Sequence, residues 1–291
     1  IKDFLIHERP DVVVPIDMPD FNFRVGKCAK QLGIPVVYYV SPQVWAWRKY
    51  RVEEMANFVT KILVLFDFEQ AFYKKAGIEA RWVGHPVVDM VNQHKPHNIR
   101  SELSLMGTVI GLLPGSRTAQ MRQLLPIYYG TARKLLKEMP DAQFLIALPP
   151  EISRPISIPR SLATCMHHFS GRTYDIMQAS DGLICSSGTS NLEATLFKKP
   201  FVVTYRLHSF SALFAKLAIP MKYYCIVNIL AGEEIVPERY QNKATPSLLA
   251  DALITQMKNF NPEKYKSVIE RLGKPGASAR AAREILQTLG L

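Results

Sequence analysis

The sequence predicts an α/β protein built from two Rossmann-like domains, and three observations carry that expectation. Short apolar runs alternate with stretches of helical periodicity along the chain, the pattern of parallel sheets covered by helices. The 291 residues suffice for two domains at about 100–200 residues each. A polar stretch from Asn92 to Ser101, containing Pro96, separates the two alternating runs and reads as a linker. The expected organisation is a first domain over 1–93, a second over 94–262 and a helical tail over 263–291, with a ligand cleft between the two domains.

Each element follows from its local pattern. Val12–Ile16, Val36–Tyr39, Ile62–Leu65 and Arg81–Val83 are apolar runs of strand length, separated by helical stretches at Val25–Leu32, Arg51–Asn57 and Phe68–Ala76. Beyond the linker the strands are Thr108–Leu113, Gln143–Ala147, Gly182–Cys185 and Phe201–Thr204. The helices there are Gln120–Glu138, Tyr174–Ala179 and Asn191–Phe197, with Pro126 expected to end or kink the first of them. The tail is helical over Ser247–Lys258 and again from Glu263 onward.

Composition narrows the function. A hydrophobic fraction of 48% with 21% charged residues fits a globular protein. No window offers the run of about 18 uncharged apolar residues that a membrane span needs. Thirty-six Lys and Arg against twenty-five Asp and Glu give a net charge of +11, which favours phosphorylated ligands, nucleic acid or an anionic membrane. No zinc finger, RNA-binding signature or long basic run singles out nucleic acid, so no nucleic-acid partner is expected. The four cysteines and seven histidines have no metal spacing, so a metal is not expected and the thiols read as reduced.

Ligands of open parallel sheets bind beyond the carboxyl ends of the strands, and four segments lie there. In Leu112-Leu113-Pro114-Gly115-Ser116-Arg117, Gly115 permits close backbone approach, Ser116 offers a hydroxyl and Arg117 a fork of donors for phosphate. The bland alternative is a tight turn with a surface arginine. In the stretch from Cys185 to Glu193, the small residues Ser187, Gly188 and Thr189 leave amides at a helix start for a diphosphate. Glu193 is placed to accept from both ribose hydroxyls; alternatively, Ser190 and Glu193 form a capping box. Asp17 ends a strand and is either a general base or a turn former. Trp45 and Trp47 either line an apolar or sugar-binding wall or anchor their loop to the core. A fifth stretch, Phe210, Leu213, Phe214 and Leu217 with Lys216 and Lys222, reads as a core helix or as a basic, apolar face for a bilayer or acyl chain.

Taken together and in order, these segments resemble lipid-A-disaccharide synthase. The resemblance rests on Ile16-Asp17-Met18-Pro19-Asp20-Phe21-Asn22 and on Tyr39-Val40-Ser41-Pro42 with Val44-Trp45-Ala46-Trp47-Arg48. It extends to Val83-Gly84-His85-Pro86, Leu112 to Arg117, Ser187-Gly188-Thr189 with Glu193, and Asn228-Ile229-Leu230-Ala231-Gly232. It implies a glycosyltransferase of the GT-B fold whose opening strand and glycine-rich turn precede Ile1, so that the first domain is incomplete. The implied reaction moves 2,3-diacylglucosamine from UDP-2,3-diacylglucosamine to 2,3-diacylglucosamine 1-phosphate (lipid X), with inversion, giving the β-1,6 disaccharide and UDP.

The resemblance also distributes roles. Asp17 is expected to take the acceptor proton, Arg117 to neutralise the departing diphosphate, and Asn228 to be a further important residue. Gly115, Ser116, Ser187, Gly188 and Thr189 are expected to cradle UDP, and Glu193 to hold its ribose, without a metal or cofactor. The implied place is the cytoplasmic face of the inner membrane, held by its anionic surface, and a homodimer is compatible with this reading. Competing readings are another UDP-GlcNAc enzyme of the same architecture, of peptidoglycan-transferase or 2-epimerase type, and a non-catalytic UDP-sugar-binding fragment.

Overall fold

The computed structural model describes residues 1–45, 50–152, 156–206 and 222–291. The chain divides into two compact units, Ile1–Asn92 with Glu270–Leu291, and Gln93–Ile269.

Among the described residues the first unit carries a parallel sheet in the order β1 (Val37–Tyr39), β2 (Lys61–Val64), β3 (Glu79–Trp82). The expected strand Val12–Ile16 is reduced to two parallel bridges, Val13 to Val36 and Ile16 to Tyr39. The reason is Pro15. Val13 N donates to Pro35 O and Asp17 N to Tyr39 O, and the donor required midway between them belongs to a residue without an N–H. The reverse bonds survive, from Val37 N to Val13 O at 3.0 Å and from Tyr39 N to Pro15 O at 2.9 Å.

Alternation along the strands sends residues to both faces of this sheet. Val36, Tyr38, Ile62, Val64 and Ala80 are buried with Phe23, Met55, Phe58 and Tyr73 on one side. Val37, Leu63 and Val83 are buried with Ala281 on the other. Ala281 belongs to the helix Ala277–Thr288, so the end of the chain is not a separate tail. Residues 270–291 complete the first unit, because a sheet apolar on both faces needs a second cover. Polar contacts fasten them: Lys61 Nζ meets Glu284 Oε2 at 3.2 Å, Arg280 Nε donates to Val83 O at 2.8 Å, and Arg271 Nε pairs with Asp67 at 3.0 Å.

The second unit is a parallel sheet in the order β6-β5-β4-β7-β8-β9. Its strands are β4 (Val109–Leu113), β5 (Gln143–Leu148), β6 (Met166–Ser170), β7 (Gly182–Ser186), β8 (Phe201–Tyr205) and β9 (Glu238–Tyr240). The chain runs outward from β4 to one edge, then returns to β7 and runs to the other, so the order reverses between β4 and β7. Such a reversal opens a crevice at the carboxyl ends of the two strands. The edge strands β6 and β9 escape a search for apolar runs because edges are half solvated: most of β6 and all of β9 are only partly buried.

Helix Thr118–Glu138 runs unbroken through Pro126. Burial of Met121, Leu124, Tyr128, Ala132 and Leu135 along one face outweighs the cost of about 3 kcal/mol that an interior proline imposes. The expected linker is docked within the second unit. Asn98 caps a short helix, Ile99–Glu102, by accepting from Ser101 N. The carboxylate of Asp175 receives the His97 amide at 2.9 Å and lies 2.9 Å from His94 Nε2. The division between units falls at Asn92/Gln93 rather than after residue 93.

Candidate functional site

The crevice between β4 and β7 is a cavity of about 320 Å³, lined by the two turns that the sequence singles out. After β4 the chain turns through Gly115 at φ 97° into the helix Thr118–Glu138. A Cβ at position 115 would push aside the Gln120 amide and press on Ser186 Oγ, and the positive φ is what calls for glycine there. The amides of Gly115, Ser116 and Arg117 find no acceptor among the described residues, leaving a row of donors at the start of a long helix.

The turn after β7 is arranged around Asn191. Its Oδ1 accepts from Gly188 N at 2.8 Å, and Ser187 N donates to Thr204 O at 3.1 Å. The amides of Thr189 and Ser190 are left without an acceptor among the described residues. The capping-box alternative is not formed. Ser190 Oγ turns back to Ser186 O, and Glu193 Oε1 instead accepts from the Tyr174 hydroxyl at 3.0 Å. Burial raises the Glu193 carboxyl above its ordinary value, partly offset by the Tyr174 bond. Gly115, Ser116, Ser187, Gly188, Thr189 and Glu193 therefore line one cavity.

The other expected residues sit differently. Arg117 is exposed at the mouth of the first turn, caps no amide with its side chain, and makes no ion pair among the described residues. It borders the cavity without lining it. Asn228 is fully buried in the helix Ile226–Ala231. Its Nδ2 donates to Val236 O and Glu238 Oε1, both at 2.8 Å, and its Oδ1 accepts from Ile235 N and Val236 N at 3.0 Å. All four bonding positions of the amide are thus used internally. Asn228 ties its helix to the approach of β9 and has nothing left for a substrate.

Asp17 lies in the first unit, exposed, where the broken strand ends. It and Met18 take left-handed conformations, φ 50° and 41°. Asn22 Nδ2 donates to Ile16 O at 3.0 Å and to Asp17 O at 2.7 Å, and the Tyr38 hydroxyl donates to Asp17 O at 2.7 Å. In the same unit Trp45 anchors its loop. Its Nε1 donates to Glu69 Oε1 at 2.9 Å, and its ring meets Phe68 edge to face at 5.0 Å. Ser41 Oγ donates to the same oxygen, and Leu65 N and Phe66 N donate to the other. Burial still raises the Glu69 carboxyl. Trp47 and the stripe Phe210 to Leu217 lie outside the described residues.

Sequence reasoning missed Tyr174, Asn191, Asn22, Tyr38 and Glu69. Each acts by hydrogen bonding to a residue distant along the chain or to its own turn, which periodicity does not register. Asn22 and Asn191 carried a signal, standing inside the Asp17 segment and the Cys185 to Glu193 stretch.

The family described as lipid-A-disaccharide synthetase matches residues 1–284. The lipid-A-disaccharide synthase of Anaeromyxobacter dehalogenans is 38% identical over 290 residues, covering 96% of this chain and 75% of the relative. That of Myxococcus xanthus is 37% identical over 291 residues, covering 97% and 76%. Among solved structures, the UDP-GlcNAc 2-epimerase of Neisseria meningitidis bound to UDP-GlcNAc superposes with a TM-score of 0.60 at 17% identity, over 99% of this chain and 78% of that one. A UDP co-structure of MnaA from S. aureus gives 0.63 at 14%, over 100% and 79%. At such identity the likeness speaks for the fold, the GT-B architecture of two Rossmann-like domains. With one family matched along residues 1–284 and its curated relatives more than a third identical over almost the whole chain, the protein belongs to the lipid-A-disaccharide synthetase family.

Proposed function

We propose that the chain transfers 2,3-diacylglucosamine from UDP-2,3-diacylglucosamine to lipid X, releasing UDP. The observation that carries the reading is the pair of adjacent turns after β4 and β7, each with amides lacking an acceptor among the described residues, beside the Glu193 carboxylate. Amides at fixed positions suit a diphosphate, and a buried carboxylate suits a ribose diol.

In this reading the 6-hydroxyl of the acceptor attacks the anomeric carbon of the donor. The bond from that carbon to the UDP oxygen breaks, and the carbon inverts. Asp17 takes the hydroxyl proton, and the electron pair leaves on the diphosphate. Arg117 and the free amides offset the charge that develops there, a role that a metal ion fills in other transferases. Asn228 acts by holding its helix in place. The net charge of +11 favours a phosphorylated lipid acceptor and an anionic membrane surface. No helix among the described residues is long and apolar enough to cross a membrane.

The test is a transfer assay with purified protein, UDP-2,3-diacylglucosamine and lipid X, with and without a chelator. Disaccharide formation that the chelator leaves unchanged supports the reading. Turnover of UDP-GlcNAc without an acceptor would favour an epimerase instead. Failure to sediment with anionic vesicles would remove the membrane part.

A further inference from the structure

The turn that presents Asp17 is built in an expensive way. Two consecutive residues with side chains, Asp17 and Met18, occupy the left-handed region at φ 50° and 41°. An aspartate visits that region with modest cost, but a methionine has no local hydrogen bond to offset it. Glycine at either position would make the same turn without strain. Such a conformation persists only where its surroundings over-determine it.

Those surroundings come from two directions. Tyr38 stands on β1, fully buried, its ring fixed edge to face against Phe23 at 6.3 Å. Its hydroxyl reaches out of the core to Asp17 O at 2.7 Å. Asn22 stands in the first turn of the helix Pro19–Gln31 and spends its side-chain N–H groups on two successive carbonyls, Ile16 O and Asp17 O. The Asp17 carbonyl is thus triangulated between the sheet and the helix, while the Asp17 amide is held only by a longer bond of 3.4 Å to Tyr39 O. Burial raises the Tyr38 phenol well above its ordinary value, so it stays a donor throughout the working range.

We infer that Asn22 and Tyr38 are positioning residues for Asp17, fixing the left-handed backbone that sets the direction of its carboxylate. The inference rests on the reading of Asp17 as the proton acceptor. A base that must meet one hydroxyl gains from such a mount, since a misdirected carboxylate loses rate without losing substrate.

The experiment is a double-mutant cycle on transfer, with UDP affinity measured in parallel by calorimetry. Asn22→Ala is expected to lower kcat at least tenfold, with the acceptor KM and UDP affinity within twofold of wild type. Tyr38→Phe, which keeps the packed ring, is expected to do the same more weakly and serves if the alanine variant does not fold. On an Asp17→Asn background neither substitution should lower the residual rate further. A full additional loss there, or an unchanged kcat in both single variants, would overturn the proposal. An Asp17→Asn protein with the wild-type rate would instead sink the assignment of the base, and the proposal with it. A crystal structure of Asn22→Ala gives an answer independent of turnover: Asp17 still at positive φ with its carboxylate unmoved would overturn the inference.

Discussion

Tyr174 donates its hydroxyl hydrogen to Glu193 Oε1 at 3.0 Å, leaving Oε2 without a partner among the described residues. Glu193 lines the cavity, so the bond turns a flexible side chain into a fixed acceptor. If that acceptor holds the ribose, the site distinguishes UDP from its 2′-deoxy counterpart. Calorimetry with both nucleotides is expected to show a preference for UDP of about 10–100-fold, the worth of a hydrogen bond to a charged group. Tyr174→Phe should reduce that preference. Equal affinities in the wild-type protein would remove Glu193 from the ribose.

The same carboxyl makes the preference depend on pH. Burial raises it, so it keeps its proton to higher pH than an exposed glutamate does, and only the ionised form accepts fully from two hydroxyls. The ratio of UDP to deoxy-UDP affinity is expected to rise with pH through the raised titration and then level off. Taking the ratio cancels the titration of the diphosphate itself. Glu193→Gln should make the profile flat; a variant that keeps the slope would point to another group.

Arg117 separates stability from activity. It is exposed and makes no ion pair among the described residues, so Arg117→Ala should leave the melting temperature within a degree or two, as about ±0.5 kcal/mol implies for a surface change. If it offsets leaving-group charge, kcat falls by roughly 10²–10³. A large drop in melting temperature would recast it as a structural residue.

Asn228 should behave in the opposite way. Asn228→Ala strands the amides of Ile235 and Val236 and removes one donor from Glu238. The expected loss is roughly 3 kcal/mol of stability, read as a lower urea midpoint with an unchanged slope. A fully stable but inactive variant would show that the amide does touch substrate after all.

His85 supplies a pH limit in the first unit. Burial lowers it from 6.5 to about 4, while its Nδ1 accepts from Val87 N at 3.1 Å. The unfolded chain therefore binds the proton more tightly than the folded one. The contribution of the neutral ring is fully present above about pH 6.5 and is lost as pH falls towards about 4, amounting to roughly 3 kcal/mol. Denaturation midpoints measured between those limits should decline in the wild type and decline less in His85→Asn, if that variant folds.

Much of this architecture could be read from residues alone, and the exceptions share a cause. Central strands such as β4 and β7 are unbroken apolar runs because helices cover them on both sides. The turns that follow them are legible by their run of small residues and, in the first, by the glycine that its positive φ calls for, Gly115. Edge strands β6 and β9 were not, since half-solvated strands carry polar residues. Neither was the fate of the tail, because Ala281 meets Val37 and Leu63 across most of the sequence. Asp17 and Glu193 can be named as candidates by residue type and place in the chain, whereas Asn22, Tyr38 and Tyr174 exist as partners only once each unit is folded. For Asn228, nothing in its sequence neighbourhood distinguishes an amide that binds substrate from one that binds its own backbone, as this one does.

The return of residues 270–291 to the first unit has a consequence for synthesis. A ribosome makes the beginning of a chain first, and domains made of one continuous stretch can fold as they emerge. Here the continuous stretch is the second unit, residues 93–269, while the first unit has to wait for the helix Ala277–Thr288 to cover the Val37 and Leu63 face of its sheet. The first unit therefore gains its second cover only after the whole of the second unit has been made.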